Sequence, residues 1–171
     1  MKKNKGFSLI ELVVVMAILA IVTSGVVYMV MNASTWKAKK AVQYLDESLS
    51  QTRVEALSKS RAWLALTYEG DHYVLKRSYD EDLRLDGKFS ITYTYGDSSS
   101  ADPKNQALVL TYDRTSGGFS DMKKQIPSSG GDYESLASPG VYCKSITITQ
   151  GSKSWTINLN KETGKHSVVK G

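Results

Sequence analysis

The chain has 171 residues, 22 Lys and Arg against 17 Asp and Glu, and one cysteine, Cys143. That length leaves room for one globular domain beside one long apolar segment, and a lone cysteine excludes an intrachain disulfide. Three of the five net positive charges are Lys2, Lys3 and Lys5, so the remainder is close to neutral and a pI near 9.2 overstates its basicity.

Residues 5–11 read Lys-Gly-Phe-Ser-Leu-Ile-Glu, and no charged residue follows from Leu12 to Trp36. At about 1.5 Å per residue this run exceeds the ~30 Å hydrocarbon core of a bilayer. It is also longer than the apolar region of a cleavable secretory signal. Glu11 stands out, because a carboxylate close to lipid costs roughly 2.5–3.5 kcal/mol or more and by default marks function. The positive-inside rule does not orient the span, since Lys37, Lys39 and Lys40 after it equal the three lysines before it.

These residues resemble the class III leader of type IV pilins and pseudopilins. Lys2, Lys3 and Lys5 correspond to its basic part, Gly6 to its last residue, Phe7 to the new N-terminus and Glu11 to the glutamate of the mature helix. The resemblance implies that prepilin peptidase cuts between Gly6 and Phe7 on the cytoplasmic side and N-methylates Phe7. It further implies a subunit held in the inner or cytoplasmic membrane with its C-terminal domain outside the cytoplasm. From there it joins other pilins or pseudopilins in an extracellular or periplasmic filament. Cleavage frees a cationic amine at Phe7, and Glu11 lies one helical turn further on. Opposite charges attract far more strongly in a low dielectric than in water. The two groups could neutralise each other within one chain; the resemblance gives the pair an intermolecular role, with Glu11 of an incoming subunit meeting the Phe7 amine of its neighbour and setting axial register.

The helix is predicted to continue beyond the span. Val42, Leu45, Leu49 and Ala56 recur at helical spacing, polar residues fill the other faces, and no proline precedes Pro103. Many major pilins carry a proline in the span, so its absence points to a minor subunit. The expected organisation is a leader at 1–6, a transmembrane half-helix at 7–36, an amphipathic half at 37–60 and a β-rich head at 61–171. The fold class is α+β: a long N-terminal helix packed on a small antiparallel β-sheet domain, type IV pilin-like.

Strands are expected at Ala62–Tyr68 and Tyr73–Ser78 around the turn Glu69-Gly70-Asp71, then at Phe89–Tyr95 and Ala107–Tyr112. Lys144–Gln150 and Trp155–Leu159 read as a hairpin across Gly151-Ser152-Lys153, and His166–Val169 as a last strand. Gly96–Asn105 and Asp113–Gly140 read as surface loops, and there is no internal repeat or second domain. This order resembles the GspH/FimT group of minor pseudopilins. The stretches that carry it are Ser50–Ala56, Tyr112–Gly118, Ile146–Gly151 and Asn158–Lys165.

No enzyme motif is present, and no cofactor is implied. His72 and His166 lack partners at metal-ligand spacing, and Asp80-Glu81-Asp82 does not have the spacing of an EF-hand. Cys143 reads as a small buried hydrophobe. One charge asymmetry has functional content. Lys144, Lys153, Lys161, Lys165 and Lys170 face only Glu162 in the last segment, whereas residues 35–143 hold 14 basic and 15 acidic residues. Lysine contacts to phosphate would give sequence-independent DNA binding. In some members of the resembled group this region meets incoming DNA, which makes a DNA-uptake (competence) pseudopilin the alternative, beside a type II secretion pseudopilin.

Overall fold

A single unbroken helix organises the molecule. The structure, a computed structural model, describes residues 9–58, 62–122 and 141–171, the first stretch without the side chains of residues 24–34. Helix α1 runs Leu9–Ser58, 50 residues or about 75 Å at ~1.5 Å per residue. Its second half buries Ala38, Ala41, Val42, Leu45, Leu49, Thr52 and Ala56. These recur every three or four residues, the stripe that faces a core. Thr52 is admitted because its hydroxyl donates to the Ser48 carbonyl at 2.7 Å.

Nine strands follow among the described residues, in two antiparallel sheets rather than the one sheet expected. The first sheet contains β1 (Trp63–Glu69), β2 (His72–Arg77), β3 (Leu83–Leu85) and β6 (Leu108–Thr111), in the order β3-β2-β1-β6. The second contains β4 (Ser90–Tyr95), β5 (Ser99–Ala101), β7 (Cys143–Gln150), β8 (Lys153–Leu159) and β9 (His166–Lys170), in the order β5-β4-β7-β8-β9. Four consecutive residues are buried in β1 (64–67) and in β6 (108–111), so that part of the first sheet is covered on both faces. The second sheet alternates. Ile146, Ile148, Trp155 and Ile157 point inward, and Thr147 and Thr156 meet hydroxyl to hydroxyl at 3.1 Å on the other face. One apolar cluster joins Leu45 and Leu49 of α1 to Leu64, Leu66 and Leu108 of the first sheet and Ile91, Ile146 and Ile157 of the second.

Both predicted hairpins have two-residue turns, Gly70-Asp71 between paired Glu69 and His72, and Gly151-Ser152 between paired Gln150 and Lys153. Each glycine has positive φ (65° and 60°) and the following residue does not, so glycine supplies the backbone freedom that these tight hairpin turns require. The expected loop 96–105 is partly ordered as a strand. Ser99–Ala101 forms β5 against Tyr93–Tyr95 by backbone pairing that its short polar side chains do not announce. Of the expected loop 113–140, residues 123–140 lie outside the described residues. Its first part closes back on the sheet through a bridge between Tyr112 and Phe119.

Candidate functional site

The two halves of α1 meet different surroundings. From Leu9 to Thr23 every side chain is exposed, with Leu9 at 80 % and Ile21 at 73 %. A soluble surface rarely tolerates such a continuous apolar patch. Thr23, the first polar residue after Glu11, donates its hydroxyl to the Leu19 carbonyl at 2.7 Å, which hides the group within the helix. Among the described residues no helix is long and apolar enough to cross a membrane. The described side chains of this half stop at Thr23 and account for only about 22 Å of helix at ~1.5 Å per residue. The sequence continues without charge to Trp36, itself 71 % exposed. Glu11 is the third described residue of α1. Gly6 and Phe7 lie outside the described residues.

At the other end of α1, two turns of the same construction pack against each other. They are Asp113-Arg114-Thr115-Ser116-Gly117 and Asn160-Lys161-Glu162-Thr163-Gly164. In each, the first residue's Oδ1 accepts from the backbone N–H of the fourth (Ser116 2.8 Å, Thr163 3.0 Å) and from its hydroxyl (2.9 Å in both). The glycine N–H then closes onto the first residue's carbonyl, at 2.8 Å for Gly117 and 2.9 Å for Gly164, with φ of 68° and 63°. The sequence carries this shared turn pattern, an Asx residue followed by a hydroxyl three positions later and then glycine, at both places. The hydrogen bonds to Asp113 hold its carboxyl below the usual range, the Ser116 backbone N–H contributing most.

Glycine allows the two turns to touch. A Cβ on Gly164 would overlap the Gly117 carbonyl oxygen and come within 3.0 Å of Arg53 Nε, and one on Gly118 would lie 2.5 Å from the Lys161 carbonyl oxygen. Arg53 Nε donates to the Gly117 carbonyl at 3.1 Å, and the Phe119 N–H donates to the Lys161 carbonyl at 2.7 Å. Tyr112 lies under this junction, its ring 4.6 Å from that of Phe119 and its hydroxyl donating to the Leu49 carbonyl at 2.9 Å. Burial raises that hydroxyl's pKa. The arrangement fixes the end of α1 to both sheets, and the Asx, hydroxyl and glycine groups that define the two turns are engaged in holding them together.

The five C-terminal lysines are not brought together. Lys153 lies at the Trp36 end of the head, its Nζ 3.5 Å from Thr35 Oγ1, and Lys170 is opposite Trp155 two pairs further along. Lys161 and Lys165 belong to the opposite end, Lys161 with its Nζ 5.3 Å from the centre of the Tyr142 ring. Lys144 is also at that end, between Cys143 and Ser145. Cys143 is buried and unpaired with any other cysteine, and burial pushes its thiol up to about 12. His72 Nδ1 is 2.9 Å from Asp71 and His166 Nε2 is 3.0 Å from Asp46 on α1. Asp80 and Asp82 each meet a cation, Arg77 at 2.6 Å and Lys76 at 3.3 Å. Among the described residues no His, Cys, Asp and Glu group could hold a metal. The buried guanidinium of Arg77, which also reaches Glu55 of α1 at 3.5 Å and contacts Gln51, was not foreseen from the sequence.

Residues 1–27 match the prokaryotic N-terminal methylation motif. That motif is the signal of type IV pilin-like precursors cleaved by prepilin peptidase. No curated protein and no solved structure matches the chain.

Proposed function

We propose that the chain is a minor pilin or pseudopilin of the GspH/FimT kind: a subunit without enzymatic activity, stored as a single-pass membrane protein and then assembled into a type IV pilus-like filament. The observation that carries this is the methylation motif at residues 1–27 overlapping a helix whose described side chains from Leu9 to Thr23 have no cover from their own chain. Such a half-helix requires lipid or neighbouring helices around it. In the filament, Glu11 of one subunit pairs with the Phe7 amine of the next and sets its axial position. The DNA-uptake alternative gains nothing from the lysines, which divide between the two ends of the second sheet. Among the described residues no feature of the head favours a type II secretion pseudopilus over a pilus.

Mass spectrometry of the chain recovered from membranes tests the reading. An N-methylated Phe7 terminus is expected, and a chain still beginning at Met1 in cells with active prepilin peptidase refutes it. Glu11→Ala is expected to be processed normally and yet be missing from filaments; incorporation at the parental level would remove the register role.

A further inference from the structure

Where α1 enters the head it borders a cleft of about 240 Å³, with Lys37, Lys40 and Tyr44 on the helix side and Arg84, Leu85 and Asp86 on the other. Asp86 is already met by Arg84, whose Nε lies 2.6 Å from its Oδ1, and Arg84 also reaches Asp71 at 3.6 Å. The third lysine of this helical turn, Lys39, is directed elsewhere, with its Nζ 5.9 Å from the centre of the Trp36 ring. Lys37 and Lys40 form no ion pair among the described residues, so the cleft holds three cations against one carboxylate. The turn after β3 closes the cleft against the helix: a Cβ on Gly87 would stand 3.1 Å from Lys37 Cβ.

The position of the cleft gives its ligand. Trp36, exposed and placed where the uncharged run ends, is the residue type that settles at the membrane–water interface. Lys40 is four residues, about 6 Å, further along the helix. The polar headgroup layer beyond the hydrocarbon core is roughly 5–8 Å thick per leaflet. Both lysines therefore lie at the depth of lipid phosphates whenever the first half of α1 is in a bilayer. Lys153, beside Thr35, adds a further cation at that level. We infer that the cleft between α1 and β3 is a binding site for the phosphate of an anionic phospholipid headgroup, held by Lys37 and Lys40 with the Tyr44 hydroxyl as a neutral donor. It holds the head against the membrane surface in the stored state. The inference rests on the proposed membrane-anchored state.

The test uses the full chain in a neutral detergent, titrated with dihexanoyl phosphatidylglycerol, dihexanoyl phosphatidylcholine or inorganic phosphate and followed by phosphorus NMR line width. Phosphatidylglycerol is expected to bind saturably and more tightly than phosphatidylcholine. Lys37→Gln and Lys40→Gln should each weaken it about fivefold, since a lysine near a lipid surface contributes on the order of that factor. Added salt should weaken it further, and Lys144→Gln, at the far end of the head, should change nothing. Equal binding of the two lipids, or a double lysine variant that binds as the parent does, overturns the site. Inorganic phosphate competing as well as phosphatidylglycerol does would assign the cleft to free phosphate and overturn the headgroup assignment. A double variant impaired only in self-association would assign it instead to an acidic segment of a second copy. Retention of the parent chain in alkali-washed membranes is scored separately. Retention without lipid selectivity refutes the cleft alone, whereas loss of retention refutes the anchored state.

Discussion

Substituting Gly164 by alanine isolates the contact between the two matching turns. The cost has two parts. An L residue at φ near 63° is strained by roughly 1–2 kcal/mol. The new methyl must in addition displace the Gly117 carbonyl, and forced packing of this kind costs typically 1–3 kcal/mol. The structure supplies the control. Gly70 has nearly the same φ, 65°, with nothing within 4 Å of a Cβ built on it, so Gly70→Ala carries the first part alone. The expected losses are about 1.5 kcal/mol for Gly70→Ala and about 3.5 kcal/mol for Gly164→Ala. Guanidinium unfolding of the full chain in mild detergent, followed by tryptophan fluorescence, reads both, because Trp63 and Trp155 lie in the two sheets. A Gly151→Ala variant, also in an open turn at φ 60°, should match Gly70→Ala. If Gly164→Ala is no worse than either, the two turns do not clamp the head.

Other consequences follow from the same geometry. Tyr112→Phe should keep the ring contact with Phe119 but lose the hydroxyl donated to Leu49, costing about 1 kcal/mol in the same unfolding assay; an unchanged midpoint would show that bond to be inconsequential. With its thiol pushed up to about 12, Cys143 should react with a thiol reagent at pH 8 roughly a thousandfold more slowly in the folded chain than in guanidinium. Because that pKa is raised on folding, the group's contribution to stability is present below its ordinary value of 9.0 and is lost as pH rises through about 12. Rapid native labelling would place the residue outside the core.

Elements with a strong apolar period were legible in the sequence. Val42, Leu45, Leu49 and Ala56 are buried as their spacing requires, and the turns at Gly70 and Gly151 fall where glycine between alternating runs places them. Strand β5 was not legible because Ser99-Ser100-Ala101 has no apolar alternation; it exists through backbone pairing with Tyr93–Tyr95. Strand β3 is three residues long, next to an acidic turn whose charges dominate the local pattern. The division into two sheets depends on which distant strand pairs with β1, and nothing within β6 distinguishes β1 from β4 as its partner. The clamp was half legible. Asp113–Gly117 and Asn160–Gly164 share an Asx residue, a hydroxyl three positions later and then glycine, which defines each turn, whereas their mutual contact is a fact of packing.

If the subunit is stored and assembled as proposed, the clamp and the inferred headgroup cleft give the two ends of the head different roles. On the proposed reading, the exposed half of α1 moves from lipid to the company of other helices. Lipid tails are as apolar as leucine, so the transfer itself gains little from the hydrophobic effect. Packing between helices and polar groups that change partners supply the rest. Leaving the bilayer separates Lys37 and Lys40 from lipid phosphate, while entering the filament gives Glu11 a neighbouring amine in a low-dielectric setting, where such a pair is strongest. The head itself need not rearrange. Tyr112, Arg53 and the paired glycines hold the end of α1 to both sheets, and a helix continuous from Leu9 to Ser58 transmits a pull at one end to the other. On the proposed reading, the balance between a cleft at the membrane surface and a carboxylate near the N-terminus sets whether the subunit is stored or assembled.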